Sequence, residues 1–250
     1  MSVDVALFVT CLTDTFHSRV GIAVVRVLRH FGCNVHFPEE QTCCGQPAYN
    51  NGFHDEAVVM GRRMVDVFAG FEHVVTPSGS CASMVIHHTP ELLADDAAYA
   101  EPSRKLAERT WEFGRFLTEV LKVDLASIPV RDDRPMTYHY SCHHRGIMTP
   151  EQATGMIRKL SGVDYRPLDN IDQCCGFGGA FGVIYPQISD AMVTDKLDCI
   201  ARTGAEVVVC SEAGCSMTIA GAARRRGLSV TFKHVAEVLA EALGLMDDKR

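Results

Sequence analysis

The chain has 250 residues, 47% of them hydrophobic and 22% charged, with a formal net charge of −7 and 11 cysteines. This is the composition of a globular protein with a substantial core. The acidic balance excludes a general nucleic-acid binder, which needs surplus lysine and arginine against phosphate. The single basic run, Arg224-Arg225-Arg226, reads as a solvated helix end.

The first residues lack the basic region of a secretory signal. No stretch reaches the roughly 18 uninterrupted apolar residues of a membrane span. A cytoplasmic location with reduced thiols is therefore expected, where cysteine clusters more often mean metal or redox chemistry than disulfides.

In chain order, residues 3–10 form a short, β-branched apolar run, as in a strand buried on both faces. Residues 16–31 place Val20, Val24, Val27, Leu28 and Phe31 at helical spacing, and Gly32 follows as a stop. A second strand is expected at 35–37, a helix at 54–69 and a third strand at 73–76. The second half repeats the order, with a strand at 136–140, a helix at 149–160, a helix near 187–202 and a strand at 206–210. The closing helices also correspond: Phe113, Phe116, Leu117, Val120 and Leu121 match Val235, Val238, Leu239, Ala242 and Leu243.

Strands separated by helices of this length form parallel sheets through right-handed crossovers. The expected fold is α/β, with two duplicated lobes, each a parallel sheet flanked by helices and related by pseudo-twofold symmetry. The expected division is 1–123 and 136–250, joined by a polar linker at 124–135.

The cysteines repeat with the fold. Cys11 is followed after 31 residues by Cys43-Cys44-Gly45, and Cys142 after 31 residues by Cys174-Cys175-Gly176. Cys81 and Cys215 close the two frames just past a strand. In such sheets ligands bind at the carboxyl ends of the strands, where Cys11, Cys81, Cys142 and Cys215 all fall. Each half thus offers four thiolates, the set that an iron–sulfur cubane takes. Adjacent cysteines diverge, which suits different irons of a cluster better than one ion, and the chain has no C-x-x-C pair of zinc-ribbon type. A structural zinc or a set of free thiols is the alternative.

Gly45 and Gly176 allow a tight turn behind the paired cysteines. Gly79, Ser80 and Gly214 can aim backbone N–H groups at bound sulfur. The run from Gly176 to Gly182 fails the G-x-G-x-x-G pattern because Phe181 takes its last position. His143 is a candidate proton carrier. Arg145 is a candidate clamp for a substrate carboxylate or a local salt-bridge residue. Cys210 lies near the second site as a further candidate ligand or a plain core thiol. Cys33 and Cys199 read as inert thiols in helical context, Trp111 as packing on a helix face, and His54, His87 and His88 as surface residues.

The frame of Cys, about thirty residues, Cys-Cys-Gly and a closing Cys resembles the cysteine-rich CCG domain family. That family includes the heterodisulfide reductase B subunit, the iron–sulfur subunit of glycolate oxidase and the lactate utilization protein A group. The segments TPSGSC, SCHHRG and CCGFGGAFG, with two repeats filling the chain, make the last group the best match. Heterodisulfide-reductase-type domains close with C-x-x-C, whereas Ser78 and Glu212 stand at the earlier position here. Four-cysteine sites and electron transfer, rather than disulfide cleavage, are what this departure implies.

The resemblance implies one [4Fe-4S] cluster per lobe, in a system that oxidises L-lactate or a related 2-hydroxy acid to pyruvate. It also implies partner redox subunits, namely a ferredoxin-type iron–sulfur protein and a third small subunit. A non-enzymatic scaffold and a thiol–disulfide redox protein are the alternatives.

Overall fold

A computed structural model describes residues 2–247. The chain divides into two compact units, Met1–Lys122 and Val123–Arg250, here called the first and second lobes.

The first lobe is built on a four-stranded parallel sheet of order β2-β1-β3-β4. Its strands are β1 (Val3–Leu7), β2 (Cys33–His36), β3 (Val74–Thr76) and β4 (Thr110–Glu112). Val5, Ala6 and Leu7 are buried, as expected of a strand with helices on both faces. The helix Ser18–His30 turns Val20, Val24, Val27 and Leu28 inward, and Gly32 ends it at φ +83°. The helix expected from residue 16 is broken at His17, so that a separate turn, Cys11–Phe16, starts at the first frame cysteine. The helix His54–Phe68 buries Ala57, Met64, Val65 and Phe68.

The second lobe has a parallel sheet of order β5-β6-β7, with β5 at Met136–His139, β6 at Val207–Cys210 and β7 at Thr231–His234. Tyr138 pairs with Val209 as Leu7 pairs with Val75, so the two sheets share a register. The counterpart of β2 shrinks to one bridge between Met136 and Tyr165. Two backbone hydrogen bonds hold it, Met136 N–H to Asp164 O at 2.8 Å and Arg166 N–H to Met136 O at 2.7 Å. Helix Pro150–Arg158 starts at a reciprocal Thr149–Gln152 cap. Helix Pro186–Thr203 then covers the sheet with Val193, Lys196, Leu197 and Ile200.

Strands β4 and β7 lie outside the sequence expectation. Each runs straight into a helix whose N-cap is its own last residue. Glu112 accepts from Arg115 N–H at 3.1 Å, and His234 Nδ1 accepts from Ala236 N–H at 3.1 Å. Trp111 therefore sits on a strand rather than a helix face, and Cys33 opens β2 rather than lying in a helix. On β7, Lys233 is 5% exposed and pairs with Asp132 at 3.0 Å and Glu241 at 2.7 Å. Residues 124–135 carry the turn Leu125–Ser127 and bury Leu125 and Ile128. Among the described residues no helix is long and apolar enough to cross a membrane.

Candidate metal centres

In the first lobe the four frame thiols meet at the carboxyl edge of the sheet. Cys11 begins the turn after β1, and Cys81 lies in the helix Gly79–Ser83 after β3. The loop carrying Cys43 and Cys44 folds over the same edge. Cys11 Sγ lies 3.8 Å from Cys43 Sγ, and Cys44 Sγ 3.4 Å from Cys81 Sγ. Each sulfur of the adjacent pair thus meets a different distant cysteine, while the two remain in contact with one another. Cys44 and Cys81 are buried, Cys43 is half-buried and Cys11 is exposed.

Gly45 holds φ +90° behind the pair, where an added Cβ would lie 3.2 Å from Met60 Cβ. Gln46 then donates to Ser80 O at 3.2 Å, tying the loop to the closing helix. Ser78 caps that helix by accepting from Cys81 N–H at 3.2 Å. Ser78 thus takes one of the N–H groups expected to point at the site.

The second lobe repeats the arrangement. Cys142 starts a turn after β5, and Cys215 lies in the helix Ala213–Arg225 after β6. Gly176 holds φ +82° against the helix at Ser189 and Met192, and its N–H donates to Cys174 Sγ at 3.4 Å. The ring of Phe177 lies against Gly214, where an added Cβ would clash. Cys175 and Cys215 are buried, whereas Cys142 and Cys174 are half-buried.

The first cysteine of each adjacent pair is the acidic one in both lobes. S–H donors from Cys11 and Cys44 hold the Cys43 thiol far below its ordinary pKa, and donors from Cys142 and Cys175 do the same to Cys174. The donors Cys11, Cys44 and Cys142 are pushed up in turn, as is Cys175, to about 12. Each frame therefore carries a thiolate at the first position of its Cys-Cys pair, the form that binds metal.

The walls behind the thiols differ. Met60 and Met192 occupy matching places beside Gly45 and Gly176. This register aligns Met64 with Lys196, Val65 with Leu197 and Phe68 with Ile200, all of them buried. Counting back from Cys11 and Cys142 aligns Phe8 with His139, and counting back from Cys81 and Cys215 aligns Thr76 with Cys210. The first lobe thus backs its inner cysteines with Phe8 and Met64, within one apolar cluster. The second backs them with His139, Lys196 and Cys210, none more than 1% exposed.

His139 and the sulfurs of Cys175 and Cys215 lie with their donor atoms all within 4.8 Å of one another. Neither ring nitrogen of His139 has a hydrogen-bond partner among the described residues. Burial and then the charge of Lys196 lower its pKa to about 3, so the ring is neutral. Lys196 donates to Asn170 O at 2.9 Å; burial lowers its pKa, opposed by the charges of Cys199, Cys175, Asp172 and Cys174.

The remaining candidates are dispersed. His143 is half-buried with Nδ1 3.6 Å from Cys142 Sγ. Arg145 is exposed and donates to Asp172 O, bracing the loop that carries Cys174. His144 is buried, and burial lowers its pKa to about 4. Cys210 donates to Glu212 O at 3.5 Å and also raises the pKa of Cys215. Cys199 is buried and accepts from Arg202 at 3.2 Å, consistent with a core thiol. His54 and His88 both stack on Tyr49, with ring centroids 5.3 and 4.5 Å away.

The donor set fits an iron–sulfur cluster. All four frame donors in each lobe are sulfur, and in the first lobe Cys43 also meets Cys11 while Cys44 also meets Cys81. Among the described residues the first lobe has no group of three donors gathered tightly enough for a single ion. His139 and Lys196 escaped sequence reading because each sits inside an apolar pattern. Aligning the halves beyond their cysteines, with Phe8 against His139, was the available signal.

A family model, the cysteine-rich domain CCG, matches residues 5–86 and 136–220. Lactate utilization protein A of Shouchella clausii is 42% identical over 237 residues, covering 94% of this chain and 98% of that protein. The protein of the same name from Halalkalibacterium halodurans is 42% identical over 94% of this chain and 96% of its own. One from Bacillus cereus is 43% identical, with 94% and 98% covered. Among solved structures, glutamate racemase isoform RacE1 from Bacillus anthracis is 13% identical with a TM-score of 0.38, covering 97% of this chain and 80% of that one. That likeness is too distant to inform the site.

Proposed function

The chain belongs to the cysteine-rich CCG domain family, within its lactate utilization protein A group. From that premise we propose that it is an iron–sulfur electron-transfer subunit in the oxidation of L-lactate, or a related 2-hydroxy acid, to the 2-oxo acid. The observation that carries this reading is the twofold presence of four converging thiols, two buried and two nearer solvent. When bound, each cluster supplies one-electron redox chemistry, so the two electrons freed with two protons from the 2-hydroxy acid leave singly.

The chain's own residues hold and shield. Cys44, Cys81, Cys175 and Cys215 form the dry inner side of each site, and the backbone at Gly176 donates to sulfur. Cys11 and Cys142, at the outer side, lie where a partner can approach. A ferredoxin-type iron–sulfur protein and a third small subunit are the partners proposed.

Anaerobic purification followed by iron, acid-labile sulfide and zinc analysis tests this reading. Iron and sulfide in near-equal amounts, enough for two clusters per chain, are expected. A colourless protein with stoichiometric zinc and no labile sulfide would overturn it.

A further inference from the structure

Polar groups with no partner are rarely left in a protein interior, because an unmet donor or acceptor loses its hydration without a replacement. His139 leaves two, Nδ1 and Nε2, at a position with no solvent exposure. The same position in the first lobe holds Phe8, which packs on Phe68 with ring centroids 5.6 Å apart and has no polar atom to satisfy. Packing at this point of the fold therefore does not require a histidine. The nearest polar atoms grouped with its ring are sulfurs, those of Cys175 and Cys215.

These sulfurs belong to the frame of the preceding section, and this inference rests on the iron–sulfur reading given there. We infer that His139 is a direct ligand of the second lobe's cluster, making it a mixed imidazole–thiolate centre while the first lobe's is thiolate only. Four thiolates would already serve the four irons of a cubane, so His139 takes one iron in place of one frame thiolate; such an exchange of thiolate for neutral imidazole is known in iron–sulfur clusters and raises the reduction potential. Binding iron would also satisfy one of the two unpartnered nitrogens. Lys196, buried beside the same thiolates, adds positive charge where the first lobe has Met64.

His143 and His144 are the rivals for this role. His143 approaches Cys142 from the half-exposed side, and its nearest sulfur is that of its own neighbour in sequence. His144 is as buried as His139 and likewise leaves both ring nitrogens without a partner, but it stacks near Tyr140, with ring centroids 5.8 Å apart, and does not share the Cys175–Cys215 group, so the sulfur grouping is what singles out His139.

The test is pulsed electron paramagnetic resonance of the anaerobically isolated, dithionite-reduced protein, unlabelled and labelled with ¹⁵N-histidine. A directly bound imidazole gives a strong nitrogen coupling that changes to the ¹⁵N pattern on labelling. That coupling is expected in the wild type, retained in His143→Gln and His144→Gln, and lost in His139→Phe, which installs the first lobe's own residue. If His139→Phe does not fold, persistence of the coupling in the other two variants still assigns it to His139.

Cluster signals without histidine coupling would overturn the inference and leave the iron–sulfur reading standing. So would a coupling lost in His143→Gln or His144→Gln, or zinc in the second lobe beside a cluster in the first. A preparation without iron and labile sulfide would overturn both.

Discussion

Behind Cys44 and Cys81 the first lobe places Phe8 and Met64; behind Cys175 and Cys215 the second places His139 and Lys196. The thiol frames themselves match in the spacing of their first three cysteines, in exposure of their inner pair and in which cysteine carries the thiolate. On the proposed iron–sulfur reading, the frame would fix what each lobe can hold, and the wall would tune how readily it accepts an electron. A duplicated site keeps its ligands and diverges in its surroundings, where a single substitution changes charge or donor number without disturbing the sheet.

The largest effect separates the lobes completely. Cys44→Ser should remove the first centre and Cys175→Ser the second, each taking about half of the iron and labile sulfide. Loss of both centres from either variant would show that the lobes do not bind independently.

The turning glycines come next, and they should not respond equally. An added Cβ at Gly176 lies 2.7 Å from the Ser189 carbonyl oxygen, a backbone atom, whereas at Gly45 the nearest atom is Met60 Cβ at 3.2 Å. Both positions have positive φ. Gly176→Ala should cost about 3 kcal/mol and Gly45→Ala about 1–2 kcal/mol, measured by denaturant unfolding. Equal costs would mean that strain at φ, rather than the neighbour, sets the penalty.

Lys196→Met copies the first lobe's residue into the second. It should lower the second centre's midpoint potential by roughly 50–100 mV, the effect of a unit charge over about 8 Å at an effective dielectric near 20. An unchanged potential would remove Lys196 from the account.

The smallest effect concerns Asp132, which has a paired lysine on β7 where β4 carries Trp111. Burial works to raise its pKa, but hydrogen bonds from Arg134 and Lys233 outweigh it and hold the carboxyl well below the ordinary range. A depressed folded-state pKa contributes stability above the unfolded value, near 4, that is lost as pH falls below it. The melting-temperature advantage of wild type over Asp132→Asn should therefore be full at pH 6 and shrink from about pH 4 downward. An advantage that shows no decline between pH 6 and pH 2 would contradict the assignment.

Much of this was legible in the sequence. The short apolar runs at β3 and β6 are buried at every residue, and β1 is buried from Val5 onward, so their composition marks them as parallel strands. The eight frame cysteines follow from spacing, and the structure gathers four of them in each lobe. Strands β4 and β7 were hidden because they are three and four residues long and end in the N-cap of the next helix. The break at His17 was masked by a continuous helical pattern across it. His139 and Lys196 were hidden for another reason: periodicity reports burial, not what a buried polar group faces.

The most direct test of the account is a redox titration of the anaerobic protein followed by electron paramagnetic resonance. Two cluster signals with separate midpoints are predicted, the higher one absent in Cys175→Ser and the lower one absent in Cys44→Ser. A single midpoint shared by both lobes, or a wild-type protein with no cluster signal at any potential, would contradict it.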